Sequence, residues 1–118
     1  MYYICCMKPE NQISQLRKGV LELCILSIIA KGDAYASDIL EQLKSSELIV
    51  VEGTLYPLLT RLKNDGYTSY RWEESRSGPP RKYYRITDTG LTFLESLKAD
   101  WNQLIDSVHS IIESKPEK

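Results

Sequence analysis

Histidine is almost missing from this chain: His109 is the single one. One imidazole among scattered acids makes no metal site, and no Ser/His/Asp or Cys/His grouping suited to nucleophilic catalysis is visible. Glycine is also scarce, and the six present match neither the Walker nor the dinucleotide phosphate-loop spacing. No cofactor is expected, and catalysis is not. The cysteines, Cys5, Cys6 and Cys24, are odd in number with two adjacent, a poor disulfide framework. Cys24 lies in an apolar run and reads as a small buried hydrophobe, while Cys5 or Cys6 leaves a redox switch open. Long hydrophobic runs are lacking too. The longest, "VLELCILSIIA", falls well short of the ~20 residues that span a bilayer. "MYYICCMK" lacks the basic start and apolar core of a secretory signal. These absences predict a cytoplasmic, reduced protein. Met7 would make a natural start, so residues 1–8 are expected to be a misassigned or disordered extension.

What remains is ordinary globular composition. The 118 residues suit one domain, with 42% hydrophobic and 26% charged side chains. The net charge of −1 argues against a nucleic-acid partner if only the total counts. Its distribution argues otherwise. Between Val51 and Gly90 seven Lys or Arg stand against five acids, and "SRSGPPRKYYR" holds Arg76, Arg81, Lys82 and Arg85 with no acid.

Periodicity predicts four helices and a hairpin, mainly α with a small β component (α+β). A first helix is expected from about Asn11 to Lys31, apolar on most sides in its second half, with Gly32 as its stop. A second is expected from Ala34 to Ser45, on Tyr35, Ile39 and Leu43. In "VVEGTLYPLLTRLKNDGY", Leu55, Leu58, Leu59 and Leu62 mark the buried face of a third. Thr54 is its expected N-cap, which places Pro57 in the first turn where its missing N–H is harmless, and Gly66 suits the left-handed position after its end. Alternation predicts strands at "YTSYRWEE" and "KYYRIT", with "SRSGPPR" as a long basic tip and Trp72 packed under the hairpin. Thr87 should cap a last helix running to about Ser114. Leu94, Leu97, Trp101, Leu104, Val108 and Ile111 hold its a and d positions, a stripe best covered by a second copy of the chain.

Three helices followed by a hairpin is the order of a winged helix-turn-helix, in which the third helix enters the major groove and the hairpin follows the backbone. The leucine stripe leaves Gly53, Pro57, Thr60 and Asn64 pointing away from the core, flanked by Thr54, Tyr56, Arg61 and Lys63. Hydroxyls at a helix's positive end suit phosphate or base edges, and Arg61 and Lys63 are placed for the backbone. The bland alternative is an ordinary amphipathic helix beside a solvated basic turn.

At "GTLYPLLTRLKNDGY" and "SGPPRKYYRITDTG" the sequence resembles the PadR family of bacterial transcriptional regulators, over Leu16 to about Leu97. The single long last helix is similar to that of the short subfamily. The resemblance implies a homodimeric repressor on an inverted-repeat DNA operator, released by a small molecule or another cue. It implies DNA contacts from Thr54, Tyr56 and Lys63, from Tyr35 and Ser37 against the phosphates, and from the wing between Gly78 and Lys82, including Pro80 and Arg81. In similar multidrug-sensing members a tryptophan of the last helix meets its symmetry mate and sandwiches a flat aromatic ligand. Trp101 stands at such a place, with plain interface packing as the alternative.

The expected organisation is then a DNA-binding domain over residues 9–87, a dimerisation helix over 88–115 and a tail at 116–118. The competing function is a winged-helix protein-interaction module that binds no DNA, with the net charge of −1 as its best support.

Overall fold

The computed structural model describes residues 20–48 and 50–115. The expectations for residues 1–8, for the first half of the first helix and for the tail at 116–118 lie outside the described residues. Seven elements follow: α1 Leu21–Lys31, β1 Ala34–Tyr35, α2 Ala36–Ser45, α3 Glu52–Asn64, β2 Thr68–Ser75, β3 Gly78–Ile86 and α4 Asp88–Ile112. The three strands form one antiparallel sheet in the order β1-β3-β2.

The core forms where the apolar stripes meet. Leu21, Ile25, Leu26 and Ile29 of α1, Ala36, Ile39 and Leu43 of α2, and Leu55, Leu59 and Leu62 of α3 are all buried. Tyr84 of β3 and Leu94 of α4 close the cluster. Burial of this kind, at roughly 1.5–3 kcal/mol per large apolar side chain, offsets the entropy of fixing the helices.

Helix ends follow backbone accounting. At the end of α3 the Tyr67 N–H donates to the Leu62 carbonyl (2.9 Å) and the Gly66 N–H to the Lys63 carbonyl (3.0 Å). This pairing needs a left-handed residue, and Gly66 supplies it at φ 87°. The end of α2 repeats the device with Leu48 on Leu43 and Glu47 on Lys44, but there Glu47 takes the left-handed φ of 65°. Thr87 caps α4 as expected: its Oγ1 accepts from the Gly90 N–H (2.9 Å) and donates to the Gly66 carbonyl (2.7 Å). One hydroxyl thus ties the end of α3 to the start of α4.

Several boundaries differ from expectation. Ala34 and Tyr35 are not helical; they pair with Tyr84 and Tyr83 of β3, and α2 starts at Ala36. The Asp38 carboxylate accepts from the Tyr35 N–H (3.0 Å), fixing that start. Thr54 is not an N-cap. Its N–H and that of Leu55 both reach the Val51 carbonyl (3.0 and 3.1 Å), so α3 begins at Glu52 and Pro57 lies inside it. Pro57 therefore cannot donate to the Gly53 carbonyl, at a cost of about 3 kcal/mol in an ordinary helix interior. Both residues are exposed, which leaves that carbonyl to solvent.

The hairpin is longer and its tip tighter than the sequence predicts. Ser75 pairs with Gly78, with an irregularity between Glu73 and Ser75, so the turn shrinks to Arg76 and Ser77. Pro79 and Pro80 lie in β3 beyond the reach of β1, where one side of the strand is open and a missing donor breaks no ladder there. Trp72 is not packed beneath the sheet; it is 61% exposed. α4 ends at Ile112, two residues short of the expected end.

Candidate nucleic-acid interface

Strand register determines what the wing shows to α3. Tyr70 lies opposite Tyr84 and Trp72 opposite Lys82, so these four side chains share one side of the sheet. Tyr84 is buried, and burial pushes its phenol above the ordinary value, with nearby Tyr70 and Tyr56 adding to the shift. Above it the side chains become polar and charged. Lys63 of α3 and Lys82 of β3 both stand over the Tyr70 ring, 5.7 and 4.6 Å from its centroid. One aromatic ring therefore gathers a cation from the helix and a cation from the wing.

A cleft of about 270 Å³ runs beside this pair. Tyr35 and Ser37 line it at the start of α2, Tyr56 on α3, and Trp72, Pro80, Arg81 and Lys82 on the wing. Arg81 stacks over Tyr35 at 3.9 Å from its centroid and donates to Ser37 Oγ at 3.5 Å. A smaller hollow of about 100 Å³ continues along α3 past Thr60, Lys63 and Asn64 to Lys82. Hydroxyls, a guanidinium and ammonium groups with no carboxylate in either lining form a surface for an anionic strand.

Eight of the expected DNA contacts converge here: Tyr35, Ser37, Tyr56, Thr60, Lys63, Pro80, Arg81 and Lys82. Thr54 is exposed in the first turn of α3, outside both linings, and Arg76 and Gly78 are exposed at the wing tip. Arg61 is the exception. Its guanidinium pairs with Glu22 of α1, which turns its charge toward the body of the chain and away from the cleft. Tyr70 and Trp72 were missed as parts of this surface. The alternation of β2 placed the two on one side of their strand, but alternation does not say which side faces the helix or which residues of β3 lie opposite.

The family model described as the transcriptional regulator PadR-like family matches residues 25–96, which include every element that lines the cleft. The chain belongs to the PadR family. Solved PadR structures share both sequence and fold. A PadR-like transcription factor from Bacteroides fragilis is 58% identical, covering 86% of this chain and 98% of its own, with a TM-score of 0.72. A PadR family transcriptional regulator from Eggerthella lenta is 34% identical over 90% and 93% of the two chains, at a TM-score of 0.83. A PadR-like transcriptional regulator from Bacillus cereus is 37% identical over 86% and 99%, at 0.74. The α+β fold is thus that of a PadR winged helix, and the chain is a DNA-binding transcriptional regulator.

A second concave surface of this PadR protein lies apart from the cleft, between α1 and α4. It measures about 500 Å³ and is walled by Leu23, Leu97, Trp101, Leu104, Ile105 and Val108, with Glu22 and Asp100 among its polar groups. Trp101 is 38% exposed, Leu104 55% and Ile111 78%, so the lower half of α4 presents an open apolar stripe. Leu94 does not belong to that stripe. It is 1% exposed and sits in the chain's own core, which leaves nothing for a second chain to cover. Among the described residues no helix is long and apolar enough to cross a membrane.

Proposed function

We propose that the protein is a cytoplasmic homodimeric repressor that binds an inverted-repeat operator and is relieved by a small aromatic effector. The observation that carries this reading is the stripe Trp101–Leu104–Val108–Ile111, open to solvent on a helix remote from the cationic cleft. An exposed row of large apolar side chains along one helix marks an interaction site. Pairing α4 with its symmetry mate covers the stripe and leaves both clefts free. Twofold pairing presents two α3 helices to successive turns of a duplex. Within each half, Ser37, Arg81 and Lys82 hold phosphates, and Thr54, Tyr56 and Thr60 face the groove.

The effector reading rests on Trp101. A flat ligand stacked on its indole beside Leu104 would touch the interface and, through α4, both heads. A ligand that favours a head spacing unmatched to successive grooves lowers operator affinity by shifting populations. Selection of duplexes from a random library tests the central claim: a recovered palindrome supports it, and a non-symmetric site or no enrichment overturns it. Quenching of Trp101 emission by planar dyes, with release of the selected duplex, tests the relief step.

A further inference from the structure

We infer that Trp72 is a backbone-contacting residue, its indole face packing against a deoxyribose of the DNA strand that crosses the cleft between α3 and the wing. The inference rests on the reading of that cleft as the DNA surface. It starts from an oddity of burial. Residues of β2 on the same side become more exposed toward the wing tip: Thr68 is 2% exposed, whereas Trp72 is 61%. A large aromatic left in water at this level forfeits apolar burial the fold could have used. Its neighbours do not hide it. Tyr70 meets it edge-on at 5.8 Å and 84°, and Lys82 stands 5.6 Å from its ring.

The surroundings say what the ring suits. Ser37, Tyr56, Arg81 and Lys82 line the same cleft. Lys82 is the cross-strand partner of Trp72, whereas Arg81 leaves β3 on the other side and lies over Tyr35 near Ser37. A nucleic-acid backbone alternates an apolar sugar with an anionic phosphate. The cleft offers the same two chemistries, an indole face with Lys82 5.6 Å from its ring, and the Arg81 guanidinium with the Ser37 hydroxyl. A strand between a helix in the major groove and a wing at the neighbouring groove would place a sugar against Trp72 when its phosphates meet Arg81, Lys82 and Ser37. An apolar protein partner would have to desolvate those cations without neutralising them, which disfavours that occupant.

The experiment uses a labelled duplex that the wild-type protein recovers from a random-sequence library. Trp72→Ala is expected to weaken binding on the order of tenfold, and Trp72→Phe to retain most of the affinity. Because indole carries no charge, the slope of log affinity against log salt stays at the wild-type value. Thermal stability is expected to hold, since most of the side chain is already exposed. Trp72→Ala within twofold of wild type overturns the inference. A loss accompanied by a lower melting temperature, or by a shallower salt slope from a displaced Lys82, also overturns it. Wild-type protein that recovers no duplex sinks the DNA reading itself, whereas wild-type binding matched by Trp72→Ala sinks the role of Trp72 alone.

Discussion

The guanidinium of Arg81 lies 3.9 Å from the ring centroid of Tyr35, joining the wing to the first residues of the helix-turn-helix. Tyr35 in turn packs at a tilt of 50° against Tyr83, the neighbour of Lys82 in β3, at 4.7 Å between centroids. The wing is therefore braced against the head by rings and a planar cation. Lysine cannot reproduce this, since its ammonium is a point charge without the guanidinium plane. Arg81→Lys is expected to lower duplex affinity severalfold with an unchanged salt slope. Arg81→Ala should also remove about one counterion from that slope. Gel-shift titrations between low and moderate salt check both, and equal slopes for the two variants would contradict this placement of Arg81.

Arg61 separates this account from one based on helix position alone. Its side chain is about half exposed and paired with Glu22, so it is not aimed at the cleft. Arg61→Ala should leave the salt slope within a few tenths of wild type, while Lys82→Ala lowers it by about one. The stability cost of Arg61→Ala should be small, since exposed pairs contribute roughly 0–1 kcal/mol. A slope for Arg61→Ala as reduced as that for Lys82→Ala would restore Arg61 to the interface.

The pairing of Arg61 also shows where sequence reading reached its limit. Glu22 is 39 positions away, and no local period links the two residues. Stripes such as Leu55, Leu59 and Leu62 were legible because burial repeats with the helix, and Gly66 and Thr87 because end chemistry is local. The start of α3 was misread because Thr54 and Pro57 both resemble start signals, while the backbone bonds to Val51 set the true beginning. β1 is two residues long, too short to show any period. Leu94 continues the heptads of α4 faultlessly, but a heptad does not reveal whether the chain's own core or a partner covers it. Trp72 failed for the analogous reason in a strand.

The lower half of α4 gives the assembly prediction. Leu104 and Ile111 are exposed at two d positions, so a carboxylate at either should not disturb the monomer core. Leu104→Asp combined with Ile111→Asp places charges where two stripes would meet. Light scattering should change from twice the 13.6 kDa chain mass to a single chain, with helical content retained. Duplex affinity should fall sharply, because one head alone makes half the contacts. A double variant that still has dimer mass would assign dimerisation to another surface.

Thr68 supplies a stabilising substitution. Its hydroxyl is buried and has no hydrogen-bond partner among the described residues. An unmet buried hydroxyl costs about 1–3 kcal/mol, and valine has nearly the same shape with a strong strand preference. Thr68→Val should therefore raise the denaturant midpoint by an amount equivalent to about 1 kcal/mol, leaving the denaturant slope unchanged. A lower midpoint would mean that the hydroxyl is satisfied in solution.

Gly90 marks the position least tolerant of change. It sits in the first turn of α4, where its N–H donates to Thr87 Oγ1. An added Cβ would collide with the Tyr67 carbonyl oxygen and lie 2.8 Å from Ile86 Cγ1. The first is backbone and cannot step aside, because the Thr87 N–H donates to that same carbonyl at 3.1 Å. α4 would have to move off the end of α3, which breaks the cap and the stack of Phe93 on Tyr67 at 4.1 Å between ring centroids. Overpacking costs typically 1–3 kcal/mol, and loss of the Thr87 cap adds about 1 more. Gly90→Ala should thus lower the melting temperature by roughly 10 °C or more at fixed protein concentration. Thr87→Ala, which leaves the packing intact, should lower it by about a third as much. A melting temperature for Gly90→Ala within about 2 °C of wild type would show that α4 does not dock this closely in solution.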